Sequence, residues 1–282
     1  MTAKLTHKLN NECWAILPDY HRALASQLEA YDDDILGPYE PPQPAQVDGV
    51  AIVHIHGAVG KMLTSLERAF GMTDYDEIAA QLADADANPN VNSILLHIDS
   101  PGGTITGLPE LAAKIRAVSK PVVSYTEGTA ASAAYWIASQ ADNVLLSESA
   151  EVGSIGVYVA LLDQSAALEE AGYKINAISA GENKLDYADF KPLSDKARER
   201  LQANVTKWHD RFKADVNIKR DVPTNSMTGQ TYEGLEAIEA GLVARVLGQV
   251  HEARERVDGD RLVVETPHRR ERRRVGHGER GH

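Results

Sequence analysis

The sequence predicts an α/β domain built on a largely parallel sheet, and two observations carry that prediction. Short β-branched runs alternate with helical segments from Val50 onward, as repeated βα units do. The run VNSILLHI (Val91–Ile98) is apolar at five of eight positions, with Ile94-Leu95-Leu96 consecutive, which marks a buried strand. The chain has 282 residues, 43% hydrophobic and 25% charged, enough to bury a core and unlike a fibrous or wholly disordered polymer.

Residues 1–37 read as a helical N-terminal arm, because Trp14, Ile16, Leu17, His21, Leu24 and Leu28 recur at three- and four-residue steps. Pro38, Pro41, Pro42 and Pro44 then block both helix and central strand, so residues 38–47 read as a linker. Residues 48–249 form the main domain. Its strand candidates are Val50–His56, Val91–Ile98, Pro121–Tyr125, Asn143–Ser147, a run around Gly156–Leu161 and Ile175–Ser179. Its helices are Tyr75–Ala85, a segment near Ile105–Val118, Ser132–Gln140, a segment around Gln164–Ala171, and a long polar helix over about Ser194–Lys219. The Pro-Gly-Gly after Ile98 reads as a turn. Residues 250–282 read as an Arg-rich, disordered tail: His251–His282 holds nine arginines, four histidines and seven acids.

The formal charge of −12 disfavours a general nucleic-acid binder, leaving any such contact to the basic tail. One cysteine, Cys13, excludes an intramolecular disulfide and a Cys-based zinc cluster. With no apolar run of about 18 residues and none behind the N-terminal lysines, neither a membrane span nor a secretory signal is expected, and the chain reads as cytoplasmic. No cofactor is expected. Nor is a metal site, since the His, Cys and carboxylate residues show no clustered ligand spacing.

Three segments could carry chemistry. Asp99-Ser100-Pro101-Gly102-Gly103 follows a strand, and its glycines let backbone N–H groups approach a ligand. Gly128-Thr129-Ala130-Ala131-Ser132-Ala133 joins a strand to a helix, and on position alone Ser132 reads equally as a nucleophile or as an ordinary helix cap. Gly181-Glu182-Asn183-Lys184-Leu185-Asp186 offers a lysine that can act as a base once its pKa is lowered, although Lys184 alone reads as a solvated surface lysine.

Together these segments resemble the signal peptide peptidase A family of serine proteases, similar in fold to ClpP and the crotonases, over residues 50–247. The resemblance rests on DSPGG at Asp99–Gly103, the strand-loop-helix around Ser132 with Tyr135 and Ile137, and G-x-x-K-x-D at Gly181–Asp186. A fourth match is G-x-x-Y-x-G-x-x-A-x-x-x-G-L-V from Gly229 to Val243. It implies a ClpP/crotonase-like fold of repeated ββα and βα units, with Ser132 as nucleophile and Lys184 as general base. The implied oxyanion donors are the backbone N–H groups of Gly102, Gly103 and Ala133. Two positions depart from the family pattern: Ala133-Ala134 replaces glycines, and Ala244 replaces an acid. The absence of any histidine between Ser132 and His209 independently disfavours a Ser–His–Asp triad.

Asn11–Leu24 (NECWAILPDYHRAL) and the Arg-rich end resemble the phage-encoded branch of that family. This implies a head-maturation protease that cleaves scaffold, portal or coat proteins, and itself, in the host cytoplasm or prohead interior. One-domain members imply a homo-oligomeric ring in which serine and lysine come from neighbouring subunits. The competing expectations are a soluble housekeeping peptidase of the same family and a non-catalytic scaffold on the protease fold.

Overall fold

The computed structural model describes residues 13–29 and 45–247. Most of the expected linker, the beginning of the arm and the Arg-rich tail lie outside the described residues.

Along the chain the elements are β1 (Trp14–Ile16), α1 (Pro18–Glu29), β2 (Ala45–Val47), β3 (Val50–His56), β4 (Val59–Gly60), α2 (Ser65–Ala69), β5 (Thr73–Asp74) and α3 (Tyr75–Ala87). Then come β6 (Ser93–Asp99), β7 (Gly102–Thr104), α4 (Leu108–Ala117), β8 (Val122–Thr126), β9 (Thr129–Ala131), α5 (Ala133–Ala138), β10 (Asn143–Ser147) and β11 (Glu151–Gly153). The chain continues through α6 (Ser165–Glu170), α7 (Asp195–Val216), β12 (Thr231–Glu233), α8 (Gly234–Glu239) and β13 (Arg245–Leu247).

The main sheet runs β13-β10-β8-β6-β3-β2, and every pairing in it is parallel except that of the edge strand β2. Each of β3, β6, β8 and β10 is followed within a few residues by a short strand, β4, β7, β9 or β11. These short strands build two smaller sheets, β1-β7-β4-β5 and β12-β11-β9. This is the repeated ββα pattern of the ClpP/crotonase-like fold, and the parallel crossovers between units are made by helices.

Burial follows the period of each element. Alternate residues Ala51, Val53 and Ile55 of β3, and Ile94, Leu96 and Ile98 of β6, are buried. Tyr75, Ile78, Leu82 and Ala85 of α3, with Leu108, Leu111, Ala112 and Ile115 of α4, recur at helical spacing and fill the same core. Asp74 caps α3 by accepting from Asp76 N–H at 2.9 Å.

Five sequence expectations need correction. Trp14 and Ile16 are in a strand rather than a helix, because β1 finds β7 as an antiparallel partner and buries all three of its residues. Gly102-Gly103 is not a turn but part of β7. Gly156–Leu161 makes only a single bridge, Tyr158 to Trp14. Ile175–Ser179 is not a strand: Ile175 is 52% exposed and Ile178 fully exposed, with no neighbouring strand among the described residues to pair with. Residues 45–47, expected at the end of the linker, form β2.

Candidate active site

The DSPGG and GTAAS segments meet because their backbones pair directly. Ser100 N–H donates to Thr129 O (2.7 Å) and Ala131 N–H to Ser100 O (3.1 Å). Asp99 Oδ1 accepts from Thr129 N–H at 3.1 Å. The two segments approach so closely that a Cβ on Gly128 would sit 2.5 Å from Asp99 Oδ1. Gly102 is held equally tightly. Its φ is +105°, and a Cβ there would lie 2.2 Å from Ala15 O and 2.9 Å from Ser132 Cβ.

Ser132 immediately precedes α5 with φ +57° and ψ −120°, a conformation that L-residues sparsely populate and that costs about 1–3 kcal/mol. Its side chain does not cap the helix, so the ordinary N-cap reading fails. Its own N–H donates to Gly153 O at 2.8 Å, and its carbonyl accepts from Trp136 N–H at 2.9 Å. Every residue of α5 is buried, and Ala133 and Ala134 are 0% exposed, which explains why small residues stand here.

The Gly229–Val243 motif supports the serine from behind. Its strand β12 pairs with β11 so that Thr231 lies opposite Gly153, and Gln230 O accepts from Ser154 N–H at 2.7 Å. Leu242 O accepts from the Tyr135 hydroxyl at 2.7 Å, and complete burial raises that hydroxyl's pKa. On the other side of α5, Trp136 stacks on Phe212 of α7, with centroids 4.5 Å apart, and donates its indole N–H to the buried Asp215 at 3.1 Å.

Lys184 lies in a loop rather than in this core. Its segment is tied to α7 by ion pairs of Glu182 with Lys196 and of Asp186 with Arg200. Lys184 is exposed whereas Ser132 is 1% exposed, and among the described residues no hydrogen bond joins the two side chains. Of the expected oxyanion donors, Gly102 N–H donates within the chain to Ser100 Oγ at 3.2 Å, and Gly103 is buried inside β7 opposite Ala15 of β1. Ala133, at the first position of α5, adjoins Ser132.

Sequence reasoning missed three features near this site. Ser100, fully buried, holds the Gly102 N–H. Strand β1 lies directly over the glycines: Leu17 N–H donates to Pro101 O (3.0 Å), Ile105 N–H to Cys13 O (3.1 Å), and Trp14 N–H to Tyr158 O (2.9 Å). His54, His56 and His97 cluster at the carboxyl ends of β3 and β6, against the expectation of no grouped metal ligands. Part of the signal was present, since His54 and His56 share a strand face at i and i+2, but the register that brings His97 beside them is not local.

The family models agree with this architecture. The family model described as Clp protease matches residues 59–151, which sets the class as a ClpP-like α/β fold. The model for peptidase family S49 matches residues 114–263, more than half of the chain, and the chain belongs to that family. It is 31% identical over 260 residues to Capsid assembly protease C of Escherichia phage lambda, covering 86% of this chain and 58% of that protein. It is 32% identical over 206 residues to the Head-tail preconnector protein GP5 of Enterobacteria phage P21, covering 71% and 41%. Protease 4 of Salmonella typhi is 29% identical over 208 residues, covering 71% and 33%. The chain thus spans less than two thirds of the length of each of these relatives. A crystal structure of an enoyl-CoA hydratase/isomerase family member superposes with a TM-score of 0.40 at 22% identity, covering 73% of this chain and 68% of that one. No helix among the described residues is long and apolar enough to cross a membrane.

Proposed function

We propose that the chain is a serine endopeptidase of phage head maturation, with Ser132 as nucleophile and Lys184 of a neighbouring copy as general base. Ser132 Oγ attacks the substrate carbonyl carbon while its proton passes to the neutral Lys184 amine. Backbone N–H groups of Gly103 and Ala133 receive the oxyanion, joined by that of Gly102 once it leaves Ser100 Oγ. The C–N bond then breaks as the lysinium protonates the leaving amine, and water hydrolyses the acyl-enzyme. The observation that carries this reading is the backbone of Ser132, strained at φ +57° and set against Gly102 with its hydroxyl unused as a cap.

Two further observations support the finer points. The segment before Lys184 exposes Leu162, Tyr173, Ile175 and Ile178, an apolar surface suited to a second copy in a homo-oligomeric ring. The likeness to a capsid assembly protease and a head-tail preconnector protein supports a role in capsid assembly, in which the substrates would be scaffold, portal or coat proteins met in the host cytoplasm or prohead interior. On this reading residues 48–249 are the protease domain, on which β1 packs through β7.

Mixing two inactive variants tests this. Ser132→Ala and Lys184→Ala should each lose cleavage, and random co-assembly should restore about a quarter of the sites if the pair forms between subunits. No recovery, or full activity in Lys184→Ala, overturns the shared dyad. Failure of the assembled wild type to react with a fluorophosphonate probe favours the scaffold reading.

A further inference from the structure

The main sheet turns Val53, Ile55, Leu96 and Ile98 into the core, so the alternate positions of β3 and β6 face the other way. Near the carboxyl ends of the two strands those positions are His54, His56 and His97, with His54 and His97 side by side in the parallel register. One nitrogen from each ring lies within 4.8 Å of the others. The Nδ1 atoms of His54 and His97 are 3.2 Å apart, and each pair of ring centroids is separated by 5.3 Å.

Imidazole nitrogens at 2.0–2.1 Å from a tetrahedral zinc lie roughly 3.3 Å from one another. The His54–His97 pair therefore already stands at a ligand–ligand edge, and the exposed His56 needs only a side-chain adjustment to complete a third corner. A hydrogen bond between two neutral imidazoles accounts for the 3.2 Å contact but not for the convergence of a third ring on it. Surrounding groups hold the cluster in place. Tyr125 of β8 stacks on His97 at 6.0 Å and 12°, and Glu127 Oε1 lies 3.9 Å from His97 Nε2. A carboxylate beside the far nitrogen is the usual outer partner of a metal-bound histidine.

We propose that His54, His56 and His97 bind one divalent transition cation, zinc being the best match, through three imidazoles with the fourth position open to water. An all-imidazole donor set suits zinc, copper, nickel or cobalt and not magnesium or calcium, which take oxygen. Burial, then repulsion from the neighbouring rings, lowers the pKa of His54 below 6.5; the same two influences lower that of His56, against an opposing pull from Asp99. The cation would clamp the ends of the two strands that run on into β4 and β7, where Gly57 N–H already donates to Asp99 O at 2.9 Å. This site is independent of the dyad proposed above.

The test titrates cobalt(II) into the full-length chain after chelator treatment, following the intense visible bands of tetrahedral cobalt, with calorimetry for zinc. One equivalent should bind, raise the melting temperature, and lose affinity by about tenfold or more in His56→Ala and in His97→Gln. His56 is exposed, so His56→Ala decides the matter even if His97→Gln fails to fold. Absence of binding by the wild type, or unchanged affinity in His56→Ala, overturns the proposal; the latter would move the cation to His251, His268, His277 and His282 of the tail.

Discussion

Alanine substitution of three glycines separates the two constraints that meet at Ser132. At Gly71 φ is +80° and no atom lies within 4 Å of an added Cβ, so Gly71→Ala carries backbone strain alone, about 1 kcal/mol. Gly103 lacks the positive φ, but its Cβ would fall 1.7 Å from Val59 O, a clash with backbone that overpacking experience puts at about 3 kcal/mol. Gly102 carries both: φ +105°, with Ala15 O at 2.2 Å, Ser132 Cβ at 2.9 Å and Ala131 O at 3.0 Å. Gly102→Ala should therefore cost about 4 kcal/mol, relieved only if β1 lifts away from β7. Urea unfolding measures each loss as a shift in midpoint at constant slope, and fluorophosphonate labelling reads the serine in the same samples. Gly102→Ala should fall furthest in both. If its stability lies within about 1 kcal/mol of Gly71→Ala, the close packing of β1, Gly102 and Ser132 is refuted.

Ser132→Gly should remove the hydroxyl and relieve the strained backbone together, raising stability by about 1 kcal/mol while abolishing probe labelling; a loss of stability would show that φ +57° is not a strain. Burial raises the pKa of Asp142, but the Lys219 ammonium at 2.6 Å and the Val122 N–H at 2.9 Å outweigh it and bring the carboxyl below its ordinary 3.8. Stability from this depressed carboxyl is present above 3.8 and lost as pH falls through the folded value. Asp142→Asn should therefore be less stable than wild type near neutrality, with the gap closing in acid, and a gap that persists at low pH counts against the ion pair.

What could be read from the sequence was whatever short-range pattern decides. Alternation marked β3 and β6, helical spacing marked α3 and α4, and the helix expected over Ser132–Gln140 begins one residue later as α5, directly behind a short strand, β9, that was not expected. What escaped was decided by distant partners. Trp14–Ile16 has a helix-compatible spacing, yet β7, nearly ninety residues away, converts it to a strand. Ile175–Ser179 has strand composition but no adjacent strand among the described residues, and Gly156–Leu161 meets β1 only at the Tyr158–Trp14 bridge, so their propensity goes largely unrealised. The histidine cluster needed the parallel register of β3 with β6, which no local pattern encodes.

The two parts of the candidate site rest on different kinds of support, and this bears on when it could act. Ser132 is enclosed: its N–H is bonded to Gly153, its helix is wholly buried, and Tyr135 and Trp136 fasten that helix to Leu242 and Asp215. A strained backbone persists only where its surroundings overdetermine it, and here they do. Lys184 sits in a loop held by two side-chain ion pairs, Asp186 with Arg200 partly buried and Glu182 with Lys196 largely exposed, and the exposed pair contributes at most about 1 kcal/mol. The serine side is thus preorganised within a single chain, while the lysine side has the adjustable anchoring of a segment that docks on something else. On the proposed reading that docking is assembly itself, so a newly made subunit would carry a finished nucleophile and no base until a neighbour arrives.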